Sequence, residues 1–204
     1  MISMVTHSLA GVSMASVSMA GKENKDDIVF YDRLIGDGKA YIDTGIKVDA
    51  TSSYEVVFRN IALNKSIVSA SGINRFFGVF GHTNNNNYIM YGNVTTKQTL
   101  YFARKKDADY KVLITPTNVV VYNSDGSIFK DTSINREVAQ ISNLGDIRLL
   151  TGGELKTFII SNGNTITFDP RPCIYQGEAG MYDVVNKVFY GNANTEGSFS
   201  VAND

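Results

Sequence analysis

An all-β sandwich is the fold class this sequence predicts, and three observations carry the prediction. First, the chain holds 11 Tyr and 11 Phe, no Trp, only 3 Pro and 18 Gly. Aromatic and β-branched residues suit pleated, half-buried strands. Second, apolar runs of roughly five to eight residues recur, each bounded by Gly, Asn, Asp or Ser, which is the strand signal. Third, two hairpin markers sit between such runs, Asp125-Gly126 in VVVYNSDGSIFKD and Asn162-Gly163 in TFIISNGNTITFDP. Pairs of this kind are the strongest short-range hairpin signal. With 204 residues, one large β domain has enough chain for a core.

Residues 1–27 read as a separate arm. Residues 2–21 divide into four pentads, ISMVT, HSLAG, VSMAS and VSMAG. The pattern resembles the pentapeptide repeat, with Met4, Leu9, Met14 and Met19 at the central position. Four pentads make a single coil, and one coil does not bury its own faces. The segment is therefore expected to gain order by docking on another surface. The alternative is a low-complexity leader, since termini are commonly disordered unless tied down. It lacks the basic leading region and compact apolar core of an export signal. KENKDD, residues 22–27, reads as a solvated linker.

Residues 28–204 read as the sandwich domain. Tyr54–Ile61 alternates apolar and polar; RFFGVFG (75–81), YIMYG (88–92), TLYFAR (99–104) and YKVLIT (110–115) follow as further strands. The one stretch with a helical period is 133–145, where Ile134, Val138 and Ile141 share a face.

Two segments resemble a known family. YDRLIGDGKAYIDTGIKVDATSSYEVVFR, from Tyr31, resembles the opening of concanavalin A-like lectin/glucanase (LamG-like) domains of bacteriophage and gut-bacterial surface proteins, on Tyr41–Ile46. The segment from Phe158 to Val201 resembles their closing pattern, on Gly180, Met181, Tyr182, Asp183, Phe189, Tyr190 and Phe199. NTEGSF departs from the usual GTGSF of the closing turn. The resemblance implies a jelly-roll sandwich of two antiparallel sheets. The matched residues read as fold determinants: Gly45 and Gly180 for tight turns, Asp43, Thr44 and Asp183 for backbone hydrogen bonds. Tyr41, Phe58, Met181, Tyr182, Val184, Val188 and Phe189 are the expected core, and Cys173 a small core residue.

The residues argue against catalysis. None of the six glutamates, Glu23, Glu55, Glu137, Glu154, Glu178 and Glu196, begins the E-x-D-x-x-E spacing that puts glycosidase carboxylates on one strand face. The two histidines, His7 in the arm and His82 in an Asn-rich loop, match no triad motif or zinc spacing. Acid pairs assembled across strands keep a cryptic glycosidase as a minor alternative. No cofactor or metal is expected; Asp107 and Asp109 read as a charged turn neutralised by Arg104, Lys105 and Lys106. A net charge of -1 offers no field for nucleic acid. No apolar run reaches the ~18 residues of a spanning helix.

One stretch suits a sugar. In FFGVFGHTNNNNYIMYG, residues 76–92, His82, Asn84, Asn85, Asn86, Asn87, Tyr88 and Tyr91 combine amides with aromatic rings. Amides donate and accept, matching sugar hydroxyls, and ring faces pack on sugar C–H groups. The plainer reading is an exposed hairpin loop whose neighbouring aromatics face the core. The expected function is a non-catalytic bacteriophage virion protein, a head-fibre, decoration or tail-associated subunit. It would be a homo-oligomer held to other virion proteins through the arm, with host-surface glycan as a possible ligand. The alternative is a secreted or surface bacterial carbohydrate-binding module.

Overall fold

The computed structural model describes residues 27–72, 75–82, 86–93, 98–134 and 144–204, without the side chains of 71, 72, 75, 76, 91–93 and 98. The pentad arm, up to residue 26, and most of the helical-period stretch, 135–143, lie outside the described residues.

The described residues form strands and turns, with every strand pairing antiparallel. Eight strands make the larger sheet. Its order is β11 (Ile128–Ser133), β10 (Asn118–Tyr122), β9 (Tyr110–Ile114), β4 (Ser53–Arg59), β13 (Gly153–Asn162), β2 (Arg33–Gly36) and β18 (Phe199–Ala202). The eighth strand, β14 (Thr165–Phe168), also pairs with β13. Six strands make the second sheet: β3 (Ile42–Lys47), β12 (Asp146–Leu149), β5 (Ser66–Gly72), β6 (Arg75–Gly81), β7 (Asn86–Asn93) and β8 (Gln98–Ala103). Besides these two, the closing segment forms a small sheet of its own, β1 (Val29–Phe30), β15 (Pro170–Tyr175), β16 (Glu178–Asp183) and β17 (Val188–Tyr190).

Period-two patterning places the core. In β4, Tyr54, Val56 and Phe58 are buried, while the residues between them are not. In β9, Tyr110, Val112 and Ile114 repeat the pattern. Alternate residues point to one face, so both strands turn these side chains towards the six-stranded sheet. The layers meet through rings: Tyr54 lies edge-on to Phe77 of β6 at 4.9 Å, and Phe102 of β8 lies 5.4 Å from Tyr110. Such pairs contribute about 0.5–1.5 kcal/mol each beyond area burial. The Tyr110 hydroxyl donates to the Ala103 carbonyl at 2.8 Å, which satisfies its polar end inside the sandwich.

Both hairpins form. In the second, Asn162 pairs with Thr165, so the turn residues are Gly163 and Asn164. Gly163 has φ 58, which suits the first central position of a type II′ turn. In the first, Gly126 closes the 123–127 loop at φ 80, with its N–H donating to the Asn123 carbonyl.

The opening and closing segments clasp one another. Asp37 accepts from the N–H groups of Lys39 and Ala40 with one oxygen, and from Ser198 N–H with the other. These donors hold its carboxyl at about 2, from an ordinary 3.8. Asn192 accepts from Tyr41 N–H and donates to the carbonyls of Asn194 and Gly197. A methyl group on Gly197 would lie 2.1 Å from the Ala40 nitrogen, so only glycine admits this approach. NTEGSF thus closes in its own way, with Gly197 N–H donating to Asn194 O.

Most motif residues take the roles their chemistry suggests, but Gly180 lies inside β16 opposite Cys173 rather than in a tight turn. Thr44 donates to Ile147 O at 2.8 Å, and Gly45 has φ 66. Buried Asp183 accepts from Asp169 N–H, Val185 N–H and the Asn186 amide. Cys173 is buried, and that burial pushes its thiol to about 11. The expected core is partly corrected. Phe58 and Met181 are fully buried, but Tyr41, Tyr182, Val184 and Phe189 are half-buried and Val188 is 42% exposed. Tyr182, Val188 and Phe189 belong to the third, four-stranded sheet rather than lining the space between the two large ones, and the Tyr41 ring lies under the Arg148 guanidinium at 4.8 Å. Phe189 instead lies over Gly180, where a Cβ would come within 2.8 Å of its ring.

Candidate functional site

The outward face of the six-stranded sheet carries a row of rings. Phe80 of β6 stands in register with Tyr88 of β7, and Tyr88 with Tyr101 of β8. Directly opposed residues on one face are neighbours, so three adjacent strands place three rings side by side. Phe80 and Tyr88 stack at 5.1 Å and 16°; Tyr88 and Tyr101 sit at 5.8 Å and 45°. His82, just past β6, stands edge-on to both tyrosines at 5.6 and 5.5 Å. Tyr101 is 50% exposed.

Glycine makes room for this row. Gly78 shares its strand face with Phe80, and a Cβ there would lie 2.9 Å from the Phe80 ring. The ring folds back over the gap. Asn86 sits two residues from Tyr88 on the same face, opposite Ala103, and is half-buried. Burial, helped by the neighbouring Tyr101 hydroxyl, pushes the Tyr88 phenol above its ordinary 10.0. It therefore stays a neutral hydroxyl, able to donate and accept, at any pH near neutrality.

The structure separates the residues expected to share this site. His82 and Tyr88 come together, with Asn86 beside them. Asn87 does not: alternation turns it inward, where it is 1% exposed and its Oδ1 has no hydrogen-bond partner among the described residues. Asn84 and Asn85 lie outside the described residues, as does the side chain of Tyr91, whose backbone pairs with Phe77. Two members went unanticipated. Phe80 was legible, since it precedes His82 by two residues and so shares its parity. Tyr101 depends on the register of β7 with β8, for which no local motif signals.

The opposite sheet offers two open grooves whose charged groups already have partners. One, of about 420 Å³, is lined by Val57, Asp109, Lys111, Tyr122 and Asn123 among others. Lys111 pairs with Glu55 at 2.9 Å and lies over the Tyr122 ring. Asp109 pairs with Arg59 at 2.6 Å and Lys156 at 2.7 Å, rather than with the expected cations Arg104–Lys106. Burial raises the Asp109 carboxyl, but these two cations outweigh it and hold the group below its ordinary range. The other groove, of about 400 Å³, lies beside Phe30, Lys156 and Arg171. Lys156 also pairs with Asp204, and Arg171 with Asp169 at 2.9 Å. Among the described residues no group of three or more His, Cys, Asp or Glu is placed to hold a metal ion. No family model and no curated protein matches the chain.

Proposed function

We propose that this protein is a non-catalytic, sugar-recognising subunit of a bacteriophage particle, in a head fibre, decoration or tail-associated position. The observation that carries the recognition half is the ring row Phe80–Tyr88–Tyr101 with His82 at its end. A sugar ring presents C–H groups on its faces and hydroxyls around its rim. The half-exposed Tyr101 ring suits the first, and Tyr88, Tyr101, His82 and Asn86 the second. Neither groove among the described residues reaches it; ring-face contacts of this kind are weak, on the order of millimolar, and linked copies supply roughly 10²–10⁴ in avidity. The virion half rests on the resemblance of the opening and closing segments to lectin-like domains of phage surface proteins, and on the patterned arm as an anchor.

Two measurements test the two halves separately. Mass spectrometry of purified particles from the source is expected to find the chain at many copies per particle. Its absence there, with secretion by the bacterium instead, would replace the virion reading with a secreted carbohydrate-binding module. A glycan array probed with multivalent protein is expected to show retention on at least one cell-surface glycan. Uniform failure to bind would remove the recognition half and leave a structural subunit.

A further inference from the structure

β14 (TITF) is an uncharged edge as well, but it is only four residues long and its Thr167 carbonyl accepts from the Asn186 amide, and very short edge strands are poor templates. Four further strands end the two large sheets, and three of these edges are guarded. β11 carries exposed Lys130 and Asp131, and β3 carries exposed Asp43 and Lys47. β18 lies against β15 and β16. The fourth, β8, reads QTLYFA. It has no charge, and no strand pairs with its outer side among the described residues. An open, uncharged edge is a template for another strand, which charged edges discourage.

The ladder fixes which backbone groups point outward. His82 N–H donates to Asn86 O at 2.7 Å, so Asn86 faces β6. Its register partner Ala103 therefore faces away from β7, and so do the alternate residues Tyr101 and Thr99. We propose that β8 pairs antiparallel with β8 of a second copy, about a two-fold axis at Tyr101. In that register Tyr101 opposes its own counterpart, and Thr99 opposes Ala103 of the partner subunit. It is the two-fold register that engages all three outward-facing residues. The Ala103 carbonyl already accepts from Tyr110, and its second lone pair remains. Arg104 falls opposite an uncharged glutamine, so no like charges meet within Gln98–Ala103; Lys97 and Lys105 are opposed only beyond the strand's ends. Opposed aromatic residues are among the favourable cross-strand pairs.

The pairing goes beyond the sugar-binding reading and does not depend on it. It has a consequence for the ring row, however. The row ends at Tyr101, on the edge strand, so the two-fold axis would continue it into the second copy as six rings across six strands.

The register predicts which cysteines cross-link. Hydrogen-bonded opposed residues have Cα atoms about 5.5 Å apart, within disulfide reach. Residues at Thr99 would lie four positions apart across the axis, roughly 13 Å, beyond it. Native Cys173 is buried and gives little background. Under mild oxidation of the full chain, Tyr101→Cys is expected to form a disulfide dimer and Thr99→Cys is not. In sedimentation, the unmodified chain is expected at twice the monomer mass. Thr99→Pro removes one outward donor per copy without touching the β7–β8 bonds, and should weaken dimerisation about tenfold or more. A chain that stays monomeric across the concentration series overturns the proposal. So does equal cross-linking at positions 99 and 101, or a dimer indifferent to Thr99→Pro.

Discussion

The clasp that joins the chain's two ends and the ring row on the six-stranded sheet are built on opposite principles. In the clasp, Asp37 and Asn192 bind backbone groups at fixed, short distances, and Gly197 lets one segment approach the other. Its geometry follows from residue identity, so its sequence is constrained. Among the described residues, Phe80, Tyr88 and Tyr101 are held by ring contacts rather than by such bonds. They meet because two strand registers bring them together. The clasp is thus fixed by the identity of its residues, whereas the row is set by strand register.

The sharpest way to break that contrast is Gly197→Ala. The added methyl collides with backbone, not with a flexible side chain. We expect a loss of about 2–3 kcal/mol, read by chemical denaturation. An unchanged midpoint would show that the clasp is not tight. Phe189→Ala comes next. A fully buried Phe would cost about 3–5 kcal/mol, but Phe189 is half-buried, and we expect roughly half that value.

Acid tests the clasp without altering its packing. Backbone donors hold Asp37 at about 2. A carboxyl whose folded value lies below its unfolded value stabilises the fold above the unfolded value, and that contribution fades as pH falls through the folded one. Native protein should thus lose the Asp37 contribution between about pH 4 and pH 2. Asp37→Asn should be less stable at neutral pH, with the gap narrowing through that window. A gap that holds constant to pH 2 would remove the carboxylate's role. The smallest effect on stability is expected at the row: Tyr101→Ala, at a half-exposed position, should cost under about 1 kcal/mol.

The same contrast explains what was legible in the sequence. Asp43, Gly45 and Asp183 act in local backbone contacts, so their types announce their roles. The hairpin glycines Gly126 and Gly163 are legible for the same reason. Gly180, expected in a turn, instead sits inside β16, where it makes room for the Phe189 ring. The strand alternation of Tyr54, Val56 and Phe58 gave the main core directly. The closing segment's side chains were overestimated as core, because nothing in their spacing says they line a third, thin sheet. At the candidate site, an amide run beside tyrosines drew attention to the right hairpin. Parity then divides it, sending Asn87 inward and Tyr88 outward. Tyr101, separated from Tyr88 by a turn, joins only through register.

Glycan retention by multivalent protein, compared across two variants, tests the central claim most directly. One variant carries Tyr88→Ala with Tyr101→Ala, which dismantles the row. The other carries Asn87→Ser, which alters only the inward-facing amide. The account predicts that the ring variant loses at least about tenfold in retention, as about 1.4 kcal/mol of ring contact would give, while remaining folded by circular dichroism. It predicts that Asn87→Ser retains native binding. Loss of binding with Asn87→Ser, or full binding without the two rings, would place recognition elsewhere on the molecule.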